Sequence, residues 1–262
     1  MGKVILKGRP TTRVIEGERE DVVLLDKKKF ERFTPQLLGL GDISLLSKEV
    51  EALAAVFDLS GFTRFCNQVD PHLSVPEFLS RFLDWLFDQI GLALTAKGYK
   101  ENIALWAELP FLAKFLGDGV LFLWDTRNMS ESRVNNVVVS LLDVCREYRS
   151  AFYPVIKKRV VEPPSNLRCG IARGRVLSVG NGQDYVGPCI NIASRLQKLS
   201  FLTFCFPRRG FDVRRYVDES YQEDFIEKRI TLRGIGENEL VWILRSEYNQ
   251  LPDSEKKLFR KP

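Results

Sequence analysis

The chain has 262 residues, of which 45% are apolar and 28% charged, and its 39 basic and 34 acidic residues leave a net charge of +5. That length allows one sizeable core with extensions at its ends, and a basic excess this mild suits a small polyanionic substrate without by itself implying nucleic acid. No apolar run approaches the roughly 18 residues of a membrane span, the N-terminus lacks a signal-peptide core, and the five cysteines show no CxxC spacing, so a soluble cytoplasmic protein with no membrane partner is expected.

Residues 1–47 read as a charged arm, with charge runs at 18–21 and 27–29, packing on the domain or across a dimer, with a disordered tail as the alternative that composition leaves open. The apolar run 53–57 has the length of a core strand and ends at Asp58, which is expected to be presented rather than buried. Ser60 and Gly61 are loop formers, and Thr63 is placed to cap a following helix whose N–H groups favour anions. Phe78, Leu79, Phe82, Leu83, Leu86 and Ile90 recur at helical spacing and predict a helix over 75–96, opened by Pro76 and closed by Gly98. Residues 99–110 are too long for a simple turn and predict an insertion or a lengthened strand. Gly117, Asp118 and Gly119 divide two apolar runs as a hairpin tip would.

Ser130 predicts the cap of a helix over 131–153, stopped by Pro154. Two strands are expected at 167–172 and 176–180, separated by Arg173 and Gly174, then a helix over 189–199 and strands at 201–206, 226–232 and 240–244. Strand, helix, strand, strand, helix, strand is the order of a ferredoxin-like α/β core, βαββαβ, which many unrelated functions share. The domain reading is an arm at 1–47, a catalytic domain at 48–246 and a polar tail at 247–262.

If the strands before Asp58 and around Asp118 lie side by side, the two carboxylates converge and repel unless a cation lies between them. Mg²⁺ and Mn²⁺ suit an oxygen-only site of that kind. Each carboxylate taken alone is a common turn residue. Together, FDLSGFT at 57–63, KFLGDG at 114–119 and LRCGIARGRVLSVGNGQDYVGPCINIASRL at 167–196 resemble the class III nucleotidyl cyclases, the adenylate and guanylate cyclase family, over residues 51–244.

The resemblance implies that Asp58 and Asp118, with Leu59, hold two Mg²⁺ or Mn²⁺ ions per site. It implies that the backbone of Leu59, Ser60, Gly61, Phe62 and Thr63 cradles the β- and γ-phosphates, with Arg168 and Arg233 near the polyphosphate. Asn191 and Arg195, four apart on one helix face, would stabilise the pentavalent phosphorus and its leaving oxygens. Lys114 and Asp184 take the family's base-reading positions, with Tyr185 lining the pocket. A Lys donor with a carboxylate acceptor matches the edges of adenine, cytosine and uracil, and guanine less easily. His72, the only histidine, is expected at the surface. Lys114 and Asp118 would be about 13 Å apart on one strand, and in the family a homodimer with shared sites accommodates such a separation.

Only five residues, 182–186, separate Asn181 from Gly187, about half of the usual hairpin. In this the chain looks like the pyrimidine cyclases of the bacterial Pycsar antiphage system, which make cyclic UMP or cyclic CMP for a separate effector protein. The function implied is cyclisation of a nucleoside triphosphate, UTP or CTP by preference. The alternatives are an adenylate cyclase making cyclic AMP and a catalytically inactive nucleotide-binding module; the GG[DE]EF-type motif of a diguanylate cyclase is not supplied by KFLGDGV.

Overall fold

The structure, a computed structural model, describes residues 7–16, 18–99 and 102–262. The first six residues, on which the expectation of no signal peptide falls, lie outside the described residues, as do Gly17, Lys100 and Glu101. Two units divide the chain: Met1–Glu49 with Leu177–Val186, and Val50–Val176 with Gly187–Pro262. The smaller begins with an antiparallel hairpin of β1 (Arg9–Ile15) and β2 (Glu18–Leu24), in which Arg9 faces Leu24. Asp26 caps the short α1 (Lys27–Phe30) by accepting from the Lys29 N–H.

The larger unit is built on β3 (Glu49–Ser60), whose residues 52–59 are all buried, as a central strand covered on both faces must be. After α2 (Phe62–Cys66) comes α3 (Pro71–Leu94), with Phe78, Phe82, Leu86, Ile90 and Leu94 buried. Gly98 does not close it. Thr95 turns to an extended conformation and donates its hydroxyl to the Gly91 carbonyl at 2.7 Å, so Gly98 falls within β4 (Thr95–Tyr99), which pairs with β5 (Asn102–Leu105) as an inserted hairpin. The hairpin of β6 (Leu112–Phe115) and β7 (Gly119–Asp125) turns at residues 116–118.

Ser130 caps α4 (Glu131–Glu147) through the Arg133 N–H. The helix does not stop at Pro154. A π-helical turn, Tyr148–Phe152, widens it, and Pro154 enters the first turn of α5 (Tyr153–Ile156), where its missing N–H is no loss. The two strands expected after it are one, β8 (Asn166–Val179), because Arg173 is anchored within it by Glu131 at 2.7 Å and Gly174 leaves room for Cys189. Beyond it lie β9 (Asp184–Val186), α6 (Pro188–Leu196), β10 (Phe204–Pro207), α7 (Val213–Tyr216) and α8 (Glu219–Gln222). The antiparallel pair β11 (Phe225–Leu232) and β12 (Gly236–Leu244) follows, then α9 (Arg245–Gln250) and α10 (Asp253–Lys256).

The sheet runs β11-β12-β10-β8-β3-β7-β6, with β9 on β8. Its last four strands, β8-β3-β7-β6, are the fourth, first, third and second of the βαββαβ unit, so the ferredoxin-like core is present, with three further strands added beyond β8. One face carries Leu53, Ala55, Phe57, Phe122 and Trp124 against α3 and α4. Fully burying a leucine or phenylalanine of this set contributes about 1.5–3 kcal/mol. The other face takes α6 at Gly170, where a Cβ would lie 2.1 Å from the Ala193 carbonyl oxygen and 2.4 Å from the Gln197 nitrogen. Only glycine permits that approach. Among the described residues no helix is long and apolar enough to cross a membrane, and the five cysteines are free thiols, four of them buried.

Candidate functional site

Side chains alternate along a strand. Because Leu53, Ala55, Phe57 and Leu59 face α3 and α4, Asp58 points to the side of the sheet that α6 covers. Asp58 lies opposite Gly119 in the β3–β7 pairing, and the Leu59 N–H donates to the Asp118 carbonyl at 2.9 Å. A Cβ on Gly119 would sit 1.9 Å from the Phe57 carbonyl oxygen, so the strands close to this distance only because Asp118 is followed by glycine. Gly117, at φ +97°, makes the turn on the other side. The two carboxylates are thus held together by backbone pairing.

Asp58 is 9% exposed, contrary to the expectation of a presented carboxylate. The reason is that β3 runs on through Ser60 instead of ending at Phe57. Burial pushes the Asp58 carboxyl above its ordinary range, and the Asp118 charge adds to this, as does a hydrogen bond between the two side chains. Lys198 and Arg168 pull the other way. No group of three or more His, Cys, Asp or Glu able to hold a metal occurs among the described residues. Mg²⁺, however, is commonly bound by one or two carboxylates plus substrate phosphates. Two repelling carboxylates, with the Leu59 carbonyl next along the chain, fit a divalent cation that is completed by a polyphosphate.

The loop after Asp58 differs from expectation at Thr63. Gly61, at φ +84°, is the N-cap of the five-residue α2, with no side-chain cap, and Thr63 is the second residue inside the helix. Left-handed glycine starts the helix two residues earlier than a threonine cap would.

On α6, Gly187 fits closely over β8, where a Cβ would lie 2.5 Å from the Arg175 carbonyl oxygen. Asn191 and Arg195 are exposed. The Arg195 guanidinium lies beside Gly234 in the β11–β12 turn, with Nη1 3.2 Å from where a Cβ would stand, and Arg233 is the adjacent turn residue. The charges that bear on Asp58 come instead from Asp118, Lys198 and Arg168. Lys198 was missed in the sequence. The available signal was its spacing, three residues after Arg195 and seven after Asn191.

Lys114 is exposed on β6 opposite Leu121. It does not share a strand with Asp118, because the chain reverses between them, and the extended separation of about 13 Å does not apply. Asp184 and Tyr185 are on β9, in the smaller unit, opposite Val179 and Ser178 of β8. The Asp184 carboxylate accepts from the Tyr185 N–H at 2.8 Å. Residues 40–48 hold this hairpin: the Lys48 N–H donates to the Ser178 hydroxyl at 2.8 Å, the Ser178 N–H to the Lys48 carbonyl at 2.9 Å, and the Asn181 N–H to the Leu40 carbonyl at 3.2 Å. His72 is exposed, in the first turn of α3.

No protein-family model and no curated protein matches the chain in sequence. Solved structures do match it in three dimensions. The adenylyl cyclase CyaB from P. aeruginosa superposes with a TM-score of 0.56 at 13% identity, covering 76% of this chain and 96% of its own. The guanylyl cyclase Cya2 also reaches 0.56, at 15% identity over 76% and 94%. A bacterial light-regulated adenylyl cyclase gives 0.53 at 16% identity, over 83% of this chain and 60% of its own. Adenylyl and guanylyl cyclases match equally well, so the fold alone does not choose a base. The chain therefore carries the catalytic-domain fold of the class III nucleotidyl cyclases.

Proposed function

We propose that this chain is a class III nucleotide cyclase that converts a nucleoside triphosphate, UTP or CTP in preference to ATP, into the 3′,5′-cyclic monophosphate and pyrophosphate. The observation that carries the reading is the buried Asp58 carboxylate held against Asp118 at the ends of paired strands. Such a pair is kept at a cost in repulsion and gains a use when positive charge comes to it. Bound Mg²⁺ or Mn²⁺ would supply Lewis acidity, lowering the pKa of the 3′-hydroxyl and offsetting phosphate charge. Asp58, Asp118 and the Leu59 carbonyl would hold two such ions.

In the reaction the 3′-oxygen attacks the α-phosphorus in line, its proton leaves to solvent, and the bond to the bridging oxygen of the β-phosphate breaks. The backbone of Leu59, Ser60, Gly61, Phe62 and Thr63, with Arg168 and Arg233, binds the polyphosphate. Asn191 and Arg195 face the charge that grows on the phosphoryl oxygens; an arginine in that role is worth on the order of 10³–10⁵ in rate. Lys114, Asp184 and Tyr185 read the base, and the five-residue hairpin at 182–186 is what favours a pyrimidine.

The site is shared across a homodimer, with Asp58 and Asp118 from one protomer and Lys114, Asp184, Asn191 and Arg195 of the partner subunit. Support comes from the position of Arg195 at the Gly234 turn, while the cations near Asp58 are Lys198 and Arg168. By the narrower sequence resemblance, the cyclic pyrimidine nucleotide is a cytoplasmic second messenger that acts on a separate effector in antiphage defence.

The test is incubation of the purified chain with each of the four nucleoside triphosphates and Mn²⁺, with chromatography for cyclic product and an assay for pyrophosphate. Product from UTP or CTP is expected. ATP as the best substrate would make the chain an adenylate cyclase, and no product from any of the four would make it an inactive nucleotide-binding module.

A further inference from the structure

Three placements put two cations, Arg168 and Lys198, on the side of the sheet to which Asp58 points, and the charge of each acts on Asp58. Asp58 is on the α6 side of β3, and Arg168 is on the same side of the neighbouring β8, two residues before Gly170, which α6 touches. The contact at Gly170 is made by the C-terminal end of α6, through Ala193, Leu196 and Gln197. Lys198 is the next residue, in a tightened last turn where its N–H donates to the Arg195 carbonyl at 3.2 Å. Lys198 is exposed, and neither it nor Arg168 has a hydrogen-bond acceptor for its side chain among the described residues. Arg195, three residues back on α6, turns its guanidinium to Gly234.

We propose that Lys198, with Arg168, binds the β- and γ-phosphates of the substrate on the same chain that supplies Asp58 and Asp118. The inference rests on the cyclase reading for the identity of the substrate. The division of labour it assigns is simple: cations of this edge hold the leaving polyphosphate, and Arg195 serves the reacting phosphorus. A flexible ammonium at a helix C-terminus is also where a cation is favoured.

Inorganic tripolyphosphate with Mn²⁺ is the probe, titrated calorimetrically into the whole chain. Wild type should bind, Lys198→Ala should bind about tenfold more weakly, and Lys198→Arg should stay near wild type. With the best nucleoside triphosphate, Lys198→Ala should raise KM by a similar factor and change kcat less. A lysine that only neutralises Asp58 would behave differently: Lys198→Ala would tighten Mn²⁺ binding and leave tripolyphosphate affinity within twofold, and that result would overturn the proposal. So would failure of folded wild type to bind tripolyphosphate. If no nucleotide is cyclised yet the tripolyphosphate loss persists, Lys198 stands as a phosphate ligand and the cyclase reading falls.

Discussion

The end of the β3–β7 pair, beside the β6–β7 turn, and the β8–β9 hairpin are both rich in glycine, but they are held by different means. At the first, Asp58, Gly119 and Asp118 are fixed by neighbouring strands of one continuous core, down to a glycine without which Phe57 and Gly119 could not approach. At the second, a single strand pair of three facing residue pairs is reinforced by a segment 130 residues earlier in the chain, through Ser178 and Lys48. The first arrangement is rigid because it is core. The second depends on single hydrogen bonds to residues 40–48, from Lys48 to Ser178, Ser178 to Lys48 and Asn181 to Leu40, which can be removed one at a time.

The strongest way to sharpen the contrast is to remove a carboxylate. Asp58→Ala or Asp118→Ala should bring turnover to background while the protein stays folded, since taking one member from a repelling pair strands no buried charge. Activity retained by either variant at saturating Mn²⁺ would end the metal-ligand assignment. Next in size is recovery by mixing. Asp58→Ala and Arg195→Ala, each inactive alone, should regain roughly one quarter of wild-type activity after subunit exchange, because about half the dimers are mixed and half their sites intact. Demonstrated exchange with no recovery would place the whole mechanism within one chain.

Much of the carboxylate end was readable because its information is local: an apolar run, a glycine bracket and helical spacing lie within a few residues of each charge. What escaped reading was set by partners far away. Asp58 was expected at the surface because the sequence does not say that β3 continues through Ser60. β8 was divided at Arg173 and Gly174 because the anchoring Glu131 and the packing Cys189 come from other elements. Pro154 reads as a stop in the sequence because a π turn has no composition signal. Lys198 lay outside the cyclase-like motif, and its place depends on how closely α6 sits on Gly170.

A smaller effect tests whether the carboxylate end carries strain. The Asp58 carboxyl is raised above its ordinary value of 3.8 in the folded chain, with burial the leading cause. Folding therefore favours its protonated form, a contribution present below the ordinary value and lost as pH rises through the folded one. Without metal, Asp58→Asn should melt a few degrees above wild type at pH 7, at about 2–4 °C per kcal/mol for a domain of this size. The gap should shrink as pH falls toward 4, and Mn²⁺ should raise the melting temperature of wild type alone. A difference between the two proteins that does not change with pH would mean that Asp58 is not strained.

The smallest expected effect belongs to the hairpin. Gly180 stands at φ +59°, and a Cβ there would lie 1.8 Å from the Leu40 carbonyl oxygen, so Gly180→Ala must push residues 40–48 away. Ser178→Ala is gentler: it deletes the acceptor of the Lys48 N–H and should cost about 1 kcal/mol of local docking. Neither change reaches Asp58 or Gly119, so Mn²⁺ binding should hold. Trypsin should cut after Lys48 sooner, and more so in Gly180→Ala. If Asp184 and Tyr185 read the base, the ratio of kcat/KM for the better pyrimidine nucleotide to that for ATP should fall several-fold with Ser178→Ala and approach tenfold, about 1.4 kcal/mol, with Gly180→Ala. Faster proteolysis with an unchanged ratio would show that the N-terminal segment props the hairpin but that the hairpin does not choose the base, leaving that role to Lys114 and its neighbours on β6.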